Sequence, residues 1–186
     1  MKKSAVAAPD PRWLTLVWRL PTGSSTPRVT IWRLLRRVGA VGLSPGAAIL
    51  PFREELQEQL EWLAQDIEEQ GGDAWVLPVT ELSESEEARV AELLQEERRR
   101  EYNELREAAM EFLKRAVEHP GPDADFADRL NTEKELLTLQ RRFRKIRSRD
   151  HLGAPGRRET ASAIDRCLAF RQGISSKLTA VTDIPA

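Results

Sequence analysis

The sequence has a single cysteine, Cys167, and only two histidines. A lone thiol excludes an internal disulfide framework and any multi-cysteine zinc site, and it fits a reducing compartment. His119 and His151 both stand beside helix breaks, and neither has a partner at metal-ligand spacing. No apolar run approaches the ~18 residues that span a bilayer. The opening MKKSAVAAP holds two lysines but no apolar stretch long enough for a signal peptide. Excess charge is also missing: 29 Lys and Arg stand against 30 Asp and Glu, a net charge of −1. Attraction to a polyanion must therefore come from local clusters, because opposite charges cancel only beyond a Debye length of ~8–10 Å. These absences predict a cytoplasmic protein with no membrane partner, no metal and no cofactor.

What is present divides into two textures. All five tryptophans fall before Leu82, among short runs broken by Gly and Pro; after Ser83 the pattern is helical and rich in Glu and Arg. In WLTLVWRLP, Leu14, Leu16, Trp18 and Leu20 alternate with Trp13, Thr15, Val17 and Arg19, which predicts a strand stopped by Pro21. STPRVTIWRLLRRVGA predicts a helix capped by Ser25 or Thr26, with Pro27 in its first turn and Gly39 at its end. Ile31, Leu34, Leu35 and Val38 form its buried stripe. AVGL and AAILPF flank the turn SPG and read as two strands. REELQEQLEWLAQDIEEQGG is a second helix, and DAWVLPV a last strand whose Pro78 suits a sheet edge.

The order β-α-β-β-α-β predicts an α+β protein with a ferredoxin-like split βαβ, followed by a C-terminal helical extension. The expected boundaries are 1–12 for a flexible N-terminus, 13–82 for the ferredoxin-like domain, 83–181 for the helical extension and 182–186 for a tail. Helices cover one sheet face. The other, bearing Trp13, Thr15 and Val17, must be buried by the C-terminal helices or by a second subunit, which makes a homodimer through the open face or an edge the first partner expected. In the extension, the segment from Ser83 to His119 is one long helix or two end to end, interrupted in its apolar stripe by QEERRRE, where the helix is expected to bridge solvent. Leu136, Leu139, Phe143 and Ile146 mark a second helix, and RRETASAIDRCLAFRQGISSKL a third that weakens at Gly173.

Two clusters could meet an anion. Arg28, Trp32 and Arg36 recur at i, i+4, i+8 along one helix edge, with Arg33 and Arg37 beside them. An exposed indole among guanidiniums can stack on them or on a nucleobase; the alternative is a solvated helix face with Trp32 folded onto the body. The second cluster is denser: Arg141, Arg142, Arg144, Lys145, Arg147 and Arg149 precede the next acid, Asp150. Such a local field suits a phosphate backbone, unless the Glu-rich helix before it neutralises it inside a bundle. Arg98, Arg99 and Arg100 sit among Glu96, Glu97 and Glu101 and read as locally paired. Cys167 falls among apolar helix positions and reads as packed rather than reactive. No catalytic constellation or metal cage emerges, so a non-enzymatic protein is expected.

The segments WLTLVWRLP, STPRVTIWRLLRRVGAV, ILPF and LEWLAQDIEEQGGDAWVL, in that order and spacing, resemble the N-terminal domain of the ChrB chromate-resistance regulatory family; RRFRKIRSRDHLGAPGRRETASAI resembles its helical part. The resemblance starts near Trp13 and covers most of the chain. It implies a cytoplasmic transcriptional regulator that binds promoter DNA and responds to chromate as effector. It also implies kinship of fold with the C-terminal domains of PaaX-type repressors and with the ferredoxin-like nucleases of CRISPR adaptation. Proteins of the ChrB family carry a further C-terminal domain, whereas this chain stops soon after its third long helix. If sensing resides there, the chain binds DNA without sensing chromate, or does neither. The nuclease relatives place a metal-binding aspartate at the end of the first strand, where this sequence reads Arg19-Leu20-Pro21. A metal-dependent nuclease is thus the third reading, behind a regulator and a non-catalytic dimerisation or protein-interaction module that does not bind DNA.

Overall fold

The structure, a computed structural model, describes residues 10–21, 25–118 and 126–182. Among them the chain forms four strands and five helices: β1 (Trp13–Arg19), α1 (Ser25–Val38), β2 (Val41–Ser44), β3 (Ala47–Pro51), α2 (Glu54–Glu69), β4 (Asp73–Val79), α3 (Glu84–Glu118), α4 (Phe126–Arg149) and α5 (Arg157–Thr182). Two compact units divide at Leu94/Gln95, inside α3. No described helix is long and apolar enough to cross a membrane.

The first unit is built on a four-stranded sheet of order β2-β3-β1-β4, antiparallel throughout, with β4 at an edge as its proline requires. Leu14 lies opposite Leu50 and Pro78, and Leu16 opposite Ala48 and Val76. Strand alternation then sends Leu14, Leu16, Trp18, Ala48, Leu50 and Ala74 to one face, where they pack with Ile31 and Leu35 of α1 and Leu56, Leu60, Leu63 and Ile67 of α2. Each fully buried leucine contributes about 1.5–3 kcal/mol. Both helices end in the same device. Gly39 (φ 83°) and Gly71 (φ 78°) take the left-handed conformation. Ala40 N–H then reaches Leu35 O at 3.0 Å and Gly72 N–H reaches Ile67 O at 3.0 Å, closing the last turn on its own carbonyls.

The opposite sheet face is covered in part by the start of α3. Val90 and Leu94 pack on Trp13, Val41 and Ile49, and the Arg12 guanidinium grips both oxygens of Glu87. The helix begins with a reciprocal cap: Ser83 Oγ accepts from Glu86 N–H at 3.3 Å, and the Glu86 carboxylate accepts from Ser83 N–H at 3.2 Å. These bonds hold the Glu86 carboxyl below its ordinary pKa, the side-chain bond from Ser83 contributing most. Elsewhere on this face Trp75 and Leu77 remain exposed.

The second unit packs the rest of α3 against α4 and α5. Its core joins Tyr102, Leu105, Ala109 and Phe112 to Leu136, Leu139 and Ile146, and to Ala163, Ile164 and Cys167. Of the two alternatives for the segment after Ser83, the structure has one unbroken helix to Glu118. The expectation that the apolar gap QEERRRE bridges solvent fails in part, because Arg98 is 4% exposed. Its guanidinium is held by Glu97 at 2.7 Å and Glu101 at 3.1 Å, the pairing a buried charge requires. Helix α5 runs through Gly173, where the sequence weakens it, and continues to Thr182.

Candidate nucleic-acid interface

Helix α4 owes its orientation to four apolar side chains. Leu136, Leu139 and Ile146 are buried, and Phe143 leans on Tyr102 with ring centroids 6.0 Å apart. That stripe fixes which side is left outward. Arg141, Arg142, Arg144, Lys145 and Arg147 are all exposed, and among the described residues none of them forms an ion pair. Arg141, Arg144 and Arg147 follow at i, i+3, i+6, a row about 9 Å long on the helix axis. On the flank towards α3, Arg142 and Lys145 line a groove of about 160 Å³ with Glu101 and Glu104. Arg149 differs from the other five: it donates to Glu101 at 3.0 Å and to the Lys145 carbonyl at 3.0 Å.

Three acids of α3 near this row are engaged with other cations, while Glu104 stands in the groove beside Arg142 and Lys145. Glu96 binds Arg99 and Arg100, and Glu97 and Glu101 bind Arg98. The triplet Arg98–Arg100 is therefore paired within its own helix, as its spacing predicts. What Glu101 retains goes to Arg149.

The end of α4 is fastened by a knot that periodicity does not reveal. Tyr102 is fully buried and its hydroxyl donates to Asp150 at 3.1 Å. Asp150, with 1% of its side chain exposed, also accepts from Ala154 N–H at 2.8 Å and lies 3.9 Å from Arg157. Thr160, the first turn of α5, donates to the Tyr102 carbonyl at 2.9 Å and is within 2.8 Å of the Gly156 carbonyl. Burial, then the neighbouring carboxylate, pushes the Tyr102 phenol well above its ordinary pKa. The turn after the basic row is thereby tied to α3.

Arg28, Arg33, Arg36 and Arg37 of α1 are exposed, but Trp32 is not on their surface. It is half-buried, meets Trp18 edge to face with centroids 5.3 Å apart, and so covers Gly42 that a Cβ there would sit 2.6 Å from its ring. The indole belongs to the sheet's packing. Ser25 and Thr26 lie within α1, but their side chains lie outside the described residues, as do all of His119 and the tail from 183.

The cysteine and the carboxylate at the end of β1 each have partners. Cys167 is buried, and its thiol contacts the Ala109 carbonyl at 3.4 Å and the Ala163 carbonyl at 3.2 Å. Burial raises its pKa. At the end of β1, Arg19 pairs with Asp73 at 2.6 Å, so that aspartate is committed to a cation. Among the described residues no group of three His, Cys, Asp or Glu could hold a metal ion.

An antiparallel sheet backed by two helices, together with a helical unit that bears an exposed basic row on α4, defines an α+β protein. The comparisons make it more specific. Residues 28–183 match the family described as "Protein ChrB, N-terminal", and the chain belongs to that family. It is 32% identical over 136 residues, 73% of its own length, to Protein ChrB of Cupriavidus metallidurans; the match spans 38% of that protein. No solved structure matches the chain.

Proposed function

We propose that the chain is a cytoplasmic, non-enzymatic regulator of chromate resistance that binds promoter DNA as a homodimer, with α4 lying along the phosphates. The observation that carries this is the row Arg141, Arg142, Arg144, Lys145 and Arg147: exposed, held outward by a buried stripe, and without ion pairs among the described residues. Membership of the ChrB N-terminal family supplies the link to chromate. The sheet unit is read as a ferredoxin-like split βαβ, on the order β-α-β-β-α-β with β1 between β3 and β4.

The test is a mobility-shift assay on the DNA upstream of the chain's own coding sequence, with and without chromate, across a salt series. Binding through α4 gives affinity that falls steeply with salt. Arg144→Ala flattens the log–log slope by about 0.9, one phosphate's worth of released counterions. Arg99→Ala, which removes a residue already paired with Glu96, leaves it unchanged. Retained binding with an unaltered slope in Arg144→Glu would remove α4 from the interface. Chromate enters as the effector if it changes the shift at constant ionic strength.

A further inference from the structure

The outer face of the sheet unit carries a charge pattern that contact through α4 does not use. Helix α1 has arginines and no acid, while α2 has acids and neither lysine nor arginine. Both pack on one sheet face, and between them runs a groove of about 170 Å³. Leu60 and Leu63 are buried beneath it, Leu34 and Val38 are half-buried along it, and Arg37 and Asp66 stand at its rim. Beside it rises Trp62, 75% exposed, the most exposed large apolar side chain among the described residues. Aromatic residues next to a groove are the usual anchors of an interface.

We propose that this face is where two copies of the chain meet, the α1 of each lying over the α2 of the other. The inference rests on the homodimer reading above and names its surface. A two-fold axis is isologous, so the face must complement itself. Two such packings exist. With the axis along the helices, α1 falls over the partner's α2, and arginines face carboxylates on both sides of the axis. With the axis across the helices, α1 falls over α1 and α2 over α2, and like charges oppose. Electrostatic complementarity selects the first and rejects the second. In it, each Trp62 leaves water against the other copy's groove, and Arg33 and Arg37 answer acids of α2. The exposed Trp75 and Leu77 of β4 have no comparable charge pattern to select an occupant.

Sedimentation velocity on the full chain, without DNA, tests this. The parent is expected to dimerise, and Trp62→Ala to weaken the dimer at least ~10-fold, as loss of a buried aromatic anchor does. Arg33→Glu with Arg37→Glu sets two carboxylates of α1 against the acids of the partner's α2; Glu55→Arg with Asp66→Arg sets two guanidiniums of α2 against the arginines of the partner's α1. Each double variant alone is expected to be monomeric, and the two mixed are expected to form a heterodimer. Restoration on mixing is specific to α1-over-α2 packing and shows that both variants fold. Homodimers of either double variant, or no association on mixing, would overturn the assignment while leaving the dimer itself standing. A parent chain that stays monomeric would overturn both. Salt-dependent DNA binding through α4 is read in a separate assay on separate residues.

Discussion

Tyr102→Phe removes one hydroxyl and little else. The ring keeps its contact with Phe143, and no cavity larger than an oxygen opens. What changes is the partner left behind: Asp150, almost wholly buried, loses one of its two short hydrogen bonds and keeps only Ala154 N–H and a distant Arg157. A hydrogen bond to a charged group contributes about 1.5–3 kcal/mol, and a buried acceptor stripped of its donor loses the upper part of that range. About 2 kcal/mol corresponds to a fall of about 4–8 °C in a chain of this length. Far-UV circular dichroism follows α3, α4 and α5. Tryptophan emission follows the sheet unit alone, because all five tryptophans precede Leu82. The variant is expected to lower the dichroism midpoint and to move the emission midpoint less. Above pH ~10, where an unfolded tyrosine ionises, the parent should also lose stability, since its raised folded pKa makes the native state retain a proton that the unfolded state releases. Tyr102→Phe should lose less. A variant as stable as the parent at neutral pH would refute the knot.

Other expectations follow from single sites. Glu86 has a lowered pKa, so its cap adds stability above the ordinary carboxylate range that disappears as pH falls through the folded value; an acid titration followed by dichroism should show this, and Ser83→Ala should flatten it. Cys167 should react with a thiol reagent only as fast as the helical unit opens, accelerating with urea; rapid labelling of the native chain would contradict its burial. Gly46→Ala places a Cβ 2.5 Å from the Trp18 carbonyl oxygen, a backbone atom that cannot swing aside. It should cost about 1–3 kcal/mol, measured as a lower urea midpoint by tryptophan emission.

Local patterns carried much of this architecture. Alternation in WLTLVWR, the stripe of Ile31 and Leu35, and the glycines after each sheet helix were legible because each depends on near neighbours in the chain. The basic row of α4 was legible for the same reason. Trp32 was legible only as a choice between an exposed indole and one folded onto the body: which holds depends on Trp18 and on the bare backbone of Gly42, which only the folded sheet brings under it. Arg98 looked like the middle of a solvated run, because charge alone does not disclose that this guanidinium is buried while its partners Glu97 and Glu101 stay partly exposed. The Tyr102–Asp150–Thr160 knot joins residues 48 and 58 positions from Tyr102, and no spacing rule reaches that far. Half-covering of the second sheet face by α3 depends on Val90 and Leu94, whose helical spacing discloses a buried side without disclosing what it meets.

The sealed position of Cys167 has a consequence for how such a chain could perceive an oxidising oxyanion. A thiol closed in by two backbone carbonyls and kept protonated is a slow reductant. Hexavalent chromium arriving at this molecule would find no ready electron donor in its one sulfhydryl.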